Sequence, residues 1–271
     1  MKKKYFLFEP NLGKKELENL TSCINSNWVS STGKFVSEFE RNFTEYLGGG
    51  NAVAVSNGTT AIELALASFD VGKGHEVIIP NFTFAATINA VIHSGAKPVL
   101  VDCDEETWTI DLKKISEAKN LKTKALIPVD IYGQPAKIDE INELAKKNNL
   151  LVIEDCAESL GATYKNRNIG LDVDCSTFSF HANKLITTGE GGMVVFNDFN
   201  VAKKARVLLN QGRSTEKKHL HDFAEFNFRM SNLQAAIGVA QMEQIDFFLQ
   251  KRKAIFNNYN NLFKRNNLIK L

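Results

Sequence analysis

The chain has 271 residues, of which 44% are hydrophobic and 24% are charged, as in ordinary globular proteins. Its 33 basic and 31 acidic residues are well interspersed, and the net charge of +2 provides no general attraction to nucleic acid or to a membrane surface. No stretch reaches the ~18 apolar residues that a membrane span needs, and the apolar run after the basic start is too short for a signal peptide. We therefore expect a cytoplasmic globular protein without nucleic-acid or membrane partners.

Four cysteines and five histidines are scattered singly along the chain, without the paired spacing of metal ligands. This pattern predicts reduced, buried thiols and no metal site.

The first two elements are helices, expected over 13–25 and 35–47, and the second buries phenylalanines spaced four residues apart. Short apolar strands then alternate with helices. The strands are expected at 52–55, 76–79, 98–101, 124–127 and 150–153, and the helices at 61–69, 84–94, 111–118 and 137–148. The strands are continuously apolar, which is typical of parallel strands covered on both faces. The pattern predicts a three-layer α/β domain with a mostly parallel sheet and sites at the carboxyl ends of its strands.

A further strand ends near Ser179 and leads into a polar turn that presents Lys184. A glycine cluster, a strand at 193–196 and a helix at 201–210 follow, and from Ser231 the spacing predicts one long helix. A loop lysine is usually solvated. The alternative is an amine whose pKa burial lowers, so that it forms a Schiff base with an aldehyde cofactor.

Other strand ends carry groups that bear on this alternative. Gly58 and Thr59 open a helix whose free N–H groups suit an anion, although a plain N-cap explains the turn equally well. Asp155 ends a buried strand and needs a cationic or N–H partner, such as a protonated pyridine nitrogen or, alternatively, a helix end. Phe84 suits stacking on a flat ring, although core packing is commoner. The hydroxyl of Ser179 is a candidate hydrogen-bond donor to a phosphate group. Together these groups supply what pyridoxal phosphate (PLP) requires.

Several motifs resemble, in order, those of the DegT/DnrJ/EryC1/StrS family of PLP-dependent sugar aminotransferases. They are Asn57-Gly-Thr-Thr-Ala61, Pro80-Asn-Phe-Thr-Phe84, Pro128-Val-Asp-Ile-Tyr-Gly133, Glu154-Asp-Cys-Ala-Glu158, Phe178-Ser-Phe-His-Ala-Asn-Lys184, Gly189-Glu-Gly-Gly192 and Asn227-Phe-Arg-Met-Ser-Asn-Leu-Gln-Ala-Ala236. The early segments look most like the branch that acts on 4-keto-6-deoxy nucleotide sugars, which includes perosamine synthase-like and legionaminate-pathway enzymes. The resemblance implies the large domain of PLP-dependent transferase fold type I.

The resemblance also implies roles for single residues. Lys184 is the Schiff-base lysine, and Asp155 is the partner of the pyridine nitrogen. Phe84 stacks on the cofactor, and Glu158 lies near its ring hydroxyl. Three residues match phosphate contacts: Gly58, Thr59 and Ser179. Asn227 reaches across a homodimer interface to the partner's phosphate. Because Lys184 is present where a related dehydratase branch has histidine, aminotransfer is favoured.

The implied reaction moves an amino group from L-glutamate to a nucleotide-linked keto sugar, with C4 expected as the aminated position, in the biosynthesis of a surface polysaccharide or glycan. Family members run roughly a third longer, so we expect residues 1–230 to form an N-terminal arm and the PLP-binding large domain. Residues 231–271 are expected to be a long helix leading into a C-terminal small domain that is largely missing. A catalytically impaired chain or a non-catalytic partner protein with this fold remains the alternative. An unrelated nucleotide-binding domain lacks support, because neither a GxGxxG turn nor a Walker lysine occurs.

Overall fold

A seven-stranded sheet forms the centre of the computed structural model, which describes residues 8–214, 216–217 and 219–264. The strands are β1 (Asn51–Val55), β2 (Glu76–Pro80), β3 (Lys97–Val101), β4 (Thr123–Leu126), β5 (Leu151–Asp155), β8 (Cys175–Ser179) and β9 (Gly192–Phe196). Their order in the sheet is β1-β9-β8-β5-β4-β2-β3. The pairs from β8 to β3 are parallel, whereas β9 runs antiparallel to both β1 and β8. The predicted mostly parallel α/β sheet is confirmed.

Helices cover both faces of this sheet. They are α1 (Lys14–Ser26), α2 (Lys34–Leu47), α3 (Gly58–Ser68), α4 (Ala85–His93), α5 (Leu112–Ala118), α6 (Ile138–Asn148), α7 (Phe199–Leu208), α8 (Asn232–Met242) and α9 (Ile245–Phe263). Alternate residues of each strand enter opposite cores. Ile153 packs with α3, α4 and α7, whereas Val152 packs with α5 and α6 on the other face. The outcome is the expected three-layer arrangement.

Helix α3 begins three residues earlier than the apolar pattern predicts, at Gly58 rather than at Ala61. Asn57 caps this helix: its Oδ1 accepts a hydrogen bond from the Thr60 N–H at 2.9 Å, and the Thr60 hydroxyl bonds back to Asn57. The reciprocal cap fixes the first turn, because it satisfies donors that the helix itself leaves free. Gly58 and Thr59 therefore lie in the first helical turn.

The single long helix predicted from Ser231 is wrong, because the segment is divided into α8 and α9 at Glu243 and Gln244. Buried Glu16 of α1 accepts hydrogen bonds from both Gln241 at 2.6 Å and Gln244 at 3.2 Å. These long-range bonds hold the end of α8 against α1, where α8 packs on α1 and α2. The proposed division of the chain at residue 230 remains a prediction.

The hairpin of β6 (Thr163–Tyr164) and β7 (Arg167–Asn168) was not predicted, since each strand has only two residues. Arg167 of β7 pairs with Asp139 and Asp172, and Tyr164 of β6 packs against the hydrophobic core, so ion pairs and apolar contact both hold the hairpin. Among the described helices, none combines the length and apolar character needed to cross a membrane.

Candidate active site

Lys184 lies in the turn between β8 and β9, at the carboxyl ends of the parallel strands. Its side chain is 18% exposed, and its Nζ lies 3.3 Å from Oε1 of Glu158. The backbone N–H of Lys184 donates to the carbonyl of His181 at 2.9 Å, which holds the turn in place. A primary amine that is mostly withdrawn from solvent and aimed into a cleft is suited to attack a carbonyl carbon.

Glu158, in the turn after β5, connects this lysine to a second strand end. Its Oε2 accepts the backbone N–H of Tyr132 at 2.8 Å, while its Oε1 faces the ammonium. Tyr132 follows β4 and has a left-handed backbone with φ of 51°, an uncommon conformation for a bulky residue. The carboxylate thereby joins the loops after β4, β5 and β8 at one point.

Asp155 is the last residue of β5 and is only 5% exposed. Its Oδ2 accepts the hydroxyl of Thr87 from α4 at 2.9 Å, and its Oδ1 accepts the N–H of Ala157 at 3.2 Å. Burial raises the pKa of Asp155, and the Thr87 hydrogen bond and the charge of Lys184 act in the opposite direction. A buried carboxylate in this setting gains from any further N–H donor or cation brought to it.

The first turn of α3 lies against Ser179 and the glycine cluster. A Cβ on Gly58 would stand 2.9 Å from the Cβ of Ser179, and a Cβ on Gly192 would stand 2.5 Å from the carbonyl oxygen of Asn57. Both positions therefore require glycine. The close approach brings the N-terminus of α3 at Gly58 beside the Ser179 hydroxyl, and Thr59 is the next residue of the same turn. Helix N-termini of this kind bind phosphate.

Phe84 immediately precedes α4, and its ring is 75% exposed, so it is not the core residue that the commoner pattern would predict. Helix α4 carries Thr87, whose hydroxyl donates to Asp155, so one short segment bears the exposed ring and a hydrogen-bond donor to the buried carboxylate. A ring left open at this position is available to stack on a flat ligand.

No side-chain hydrogen bond connects Asn227 with the described residues of this group. It is exposed, and its Oδ1 accepts hydrogen bonds from Nε and Nη2 of Arg229 at 3.3 and 3.0 Å. The backbone of Arg229 pairs with Val55 of β1. The assignment of Asn227 as a residue that reaches a second protomer stays a prediction.

The residues brought together fit pyridoxal phosphate. The set contains a shielded amine, a buried carboxylate and a glycine-lined helix N-terminus beside a hydroxyl. Among the described residues, Thr177 Oγ1 is the one buried side-chain polar atom without a hydrogen-bond partner. Thr177 pairs with Asp155 in the register of β5 and β8, on the sheet face that bears Ser179. Buried hydroxyls are rarely left unpaired, so this atom points to a polar ligand beside Asp155.

Sequence reasoning missed Thr87 and Tyr132. Thr87 lies in the predicted helix one turn after Phe84, and only the fold shows that its hydroxyl reaches β5. Tyr132 acts through its backbone, which no side-chain pattern reveals.

A separate buried trio lies on the opposite face of β5. Asp130, Glu154 and Cys156 offer potential ligand atoms within 4.8 Å of one another. Burial raises the pKa of Asp130 to about 6, and burial together with the charge of Asp130 raises that of Glu154. Asp130 already accepts hydrogen bonds from Ala136 N–H and the Ser159 hydroxyl, and Glu154 accepts one from Gly170. The trio is thus a hydrogen-bonded structural cluster whose burial favours the protonated form of its carboxyl groups.

Comparison with known proteins gives consistent matches. The family model described as DegT/DnrJ/EryC1/StrS aminotransferase family matches residues 10–270. GDP-perosamine synthase of Caulobacter vibrioides is 45% identical over 250 residues, which cover 92% of this chain and 67% of the relative. The putative pyridoxal phosphate-dependent aminotransferase EpsN of Bacillus subtilis is 40% identical over 267 residues, which cover 96% of this chain and 69% of the relative.

Among solved structures, Helicobacter pylori PseC, an aminotransferase involved in the biosynthesis of pseudoaminic acid, is similar with a TM-score of 0.93. It is 30% identical and covers 98% of this chain and 72% of that one. The predicted fold and the predicted class of enzyme are confirmed. The chain belongs to the DegT/DnrJ/EryC1/StrS aminotransferase family.

Proposed function

We propose that this chain is a PLP-dependent aminotransferase that moves an amino group from L-glutamate to C4 of a nucleotide-linked 4-keto-6-deoxy sugar, in the cytoplasm. The observation that carries the proposal is the convergence of Lys184, Glu158 and buried Asp155 at adjoining strand ends. The similarity to a GDP-perosamine synthase supports a nucleotide sugar as the acceptor. The similarity to EpsN supports the cofactor.

Each residue has a task that its surroundings support. Lys184 holds the cofactor through its amine and, when released, moves a proton between the reacting carbons. Asp155 keeps a ring nitrogen protonated, and Thr87 orients the carboxylate for this contact. The bound cofactor supplies an electron sink for carbanion charge. Gly58, Thr59 and Ser179 bind its phosphate, and Phe84 covers one face of its ring.

We further propose a homodimer as the active unit. Asn227 and the ring of Phe84 are both exposed in the isolated chain. Phe82, Trp108 and Tyr132 form a cluster of exposed aromatic rings near the same strand ends, with ring centroids 5.6 and 6.1 Å from that of Phe82. A second protomer over this region would bury apolar surface that single chains rarely expose together.

An absorbance titration tests the function. The purified chain is mixed with pyridoxal phosphate, and the visible band of a lysine-bound cofactor is expected in the wild-type protein and absent from Lys184→Ala. L-glutamate is then expected to bleach the band, and L-glutamine and L-alanine serve as comparison donors. A panel of UDP-, GDP- and dTDP-linked 4-keto-6-deoxy sugars is expected to restore the band, with the aminated product identified by mass.

A band that forms but never responds to any amino donor would favour the non-catalytic alternative. The absence of any band in the wild-type chain would refute the proposed function. His181→Ala is the control for general damage to the site, because it changes a side chain in the same turn and leaves the amine of Lys184 in place. His181 is exposed and bonds to Asn183 rather than to Lys184 through its ring.

A further inference from the structure

Arg252 occupies a charged position in the apolar stripe of α9. Residues spaced by three or four positions share one face of a helix. On α9 this stripe contains Ile245 and Phe248, which are buried, and continues through Arg252 to Ile255 and Tyr259. The stripe packs on the large domain at its start and is exposed from Arg252 onward, so the guanidinium lies on the side of the helix that continues from the buried residues.

The same side chain lines both cavities that contain Lys184. One cavity has a volume of about 330 Å³ and also borders Phe248, and the other has about 160 Å³ and also borders Glu158 and Ser179. The larger volume is within the range of small-molecule sites in proteins. Arg252 and Lys184 therefore line the same two cavities.

Within the described part of the chain, no ion pair or side-chain hydrogen bond includes Arg252. The neighbouring carboxylate of Glu158 already uses one oxygen for Lys184 and the other for the Tyr132 N–H. Lys251, the preceding cation, lies over the ring of Phe247 at 5.3 Å. Lys251 lines the larger cavity as well, but of these two cations Arg252 alone also lines the smaller cavity beside Glu158 and Ser179.

We propose that Arg252 binds an oxyanion of a substrate beside Lys184, an inference that rests on the proposed function. The planar guanidinium offers two parallel N–H donors, which match a carboxylate or a phosphate. Two sources of this chemistry exist in the proposed reaction, the carboxylates of the amino donor and the diphosphate of the nucleotide sugar. In either case Arg252 would orient the substrate so that its reacting carbon lies within reach of the lysine amine.

Equilibrium binding to the PLP-loaded protein tests this assignment, with glutarate as a non-reactive dicarboxylate and GDP as a nucleoside diphosphate. Calorimetry of wild-type protein and Arg252→Gln is expected to show about a ten- to hundredfold loss of affinity for one of the two probes. The affected probe identifies the source of the oxyanion. Arg252→Lys is expected to retain part of the affinity, because it keeps the charge and loses the bidentate geometry.

Lys253→Gln is the matched control, since it removes one positive charge from the adjacent position of α9 and lines neither cavity that contains Lys184. Its probe affinities are expected to equal those of the wild type. Unchanged affinities in Arg252→Gln, an equal loss in Lys253→Gln, or no binding of either probe to the wild type would each overturn the assignment. The visible band of the loaded wild-type protein separates the two claims: its absence refutes the proposed function, and its presence with unchanged probe affinities refutes Arg252 alone.

Discussion

Replacing Gly192 with alanine is expected to damage the proposed phosphate-binding end of the site, because β9 packs against the turn that opens α3. Gly192 begins β9 and pairs with both Val55 and Ser179. Its new Cβ would stand 2.5 Å from the carbonyl oxygen of Asn57, 2.7 Å from the carbonyl carbon and 3.0 Å from the Gly58 nitrogen. All three atoms belong to backbone, so the turn that opens α3 must move.

The cost follows from overpacking. Forcing an extra methyl group into a packed site destabilises a protein by about 1–3 kcal/mol. Displacing one N–H donor from a charged phosphate removes a further ~1.5–3 kcal/mol of binding, which corresponds to about a ten- to hundredfold weaker affinity. Urea unfolding of the cofactor-free protein measures the first effect, and titration of the visible band with pyridoxal phosphate measures the second.

Gly49→Ala is the matched control, because a Cβ at Gly49 meets no atom within 4 Å. Its stability and cofactor affinity are expected to stay close to those of the wild type. If Gly192→Ala matched the wild type in both measurements, the close packing of β9 on the α3 turn would not be what positions the proposed phosphate site.

Three further outcomes are expected. Thr87→Val keeps the shape of the side chain but removes the hydrogen-bond donor to Asp155, so the pKa of Asp155 is expected to rise further. Cofactor affinity is expected to fall about tenfold or more in the titration of the visible band. An affinity equal to that of the wild type would contradict this. The pKa of Asp130 is raised from 3.8 to about 6, so the folded protein keeps a proton that the unfolded chain releases, and stability falls as pH rises through this window. Asp130→Asn should weaken this pH dependence in melting temperatures, with the remainder carried by Glu154, whose pKa burial also raises, and an unchanged slope would refute it. Asn232→Ala removes bonds to the Trp28 carbonyl and the Phe35 N–H, and we expect a loss of about 2–5 kcal/mol in urea unfolding, with a loss below 1 kcal/mol counting against it.

The sheet and most helices can be predicted from local sequence, because strands appear as continuous apolar runs and helices as apolar residues spaced four positions apart. Strands β2, β4 and β5 occur within two residues of their predicted bounds for this reason. The break between α8 and α9 does not follow, because Gln241 and Gln244 bond to Glu16, more than 200 residues earlier in the chain. Long-range bonds of this kind leave no local pattern.

The candidate site divides in the same way. Asp155 and Ser179 end neighbouring parallel strands, and Lys184 follows in the turn after β8. Their approach to one another therefore follows from the parallel sheet. The role of Thr87 depends on the rotation of α4, and that of Arg252 depends on which side of α9 faces the sheet. In the sequence Arg252 stands between two lysines, and nothing local distinguishes it from them.

The central claim is that the amine of Lys184 carries the cofactor. The direct measurement is to load the protein with pyridoxal phosphate, reduce it with borohydride and locate the attached mass by peptide sequencing in a mass spectrometer. A single modified residue, Lys184, is expected, with no stoichiometric modification in the Lys184→Ala protein. Stoichiometric modification of another lysine in the wild type, or none at all, would contradict it.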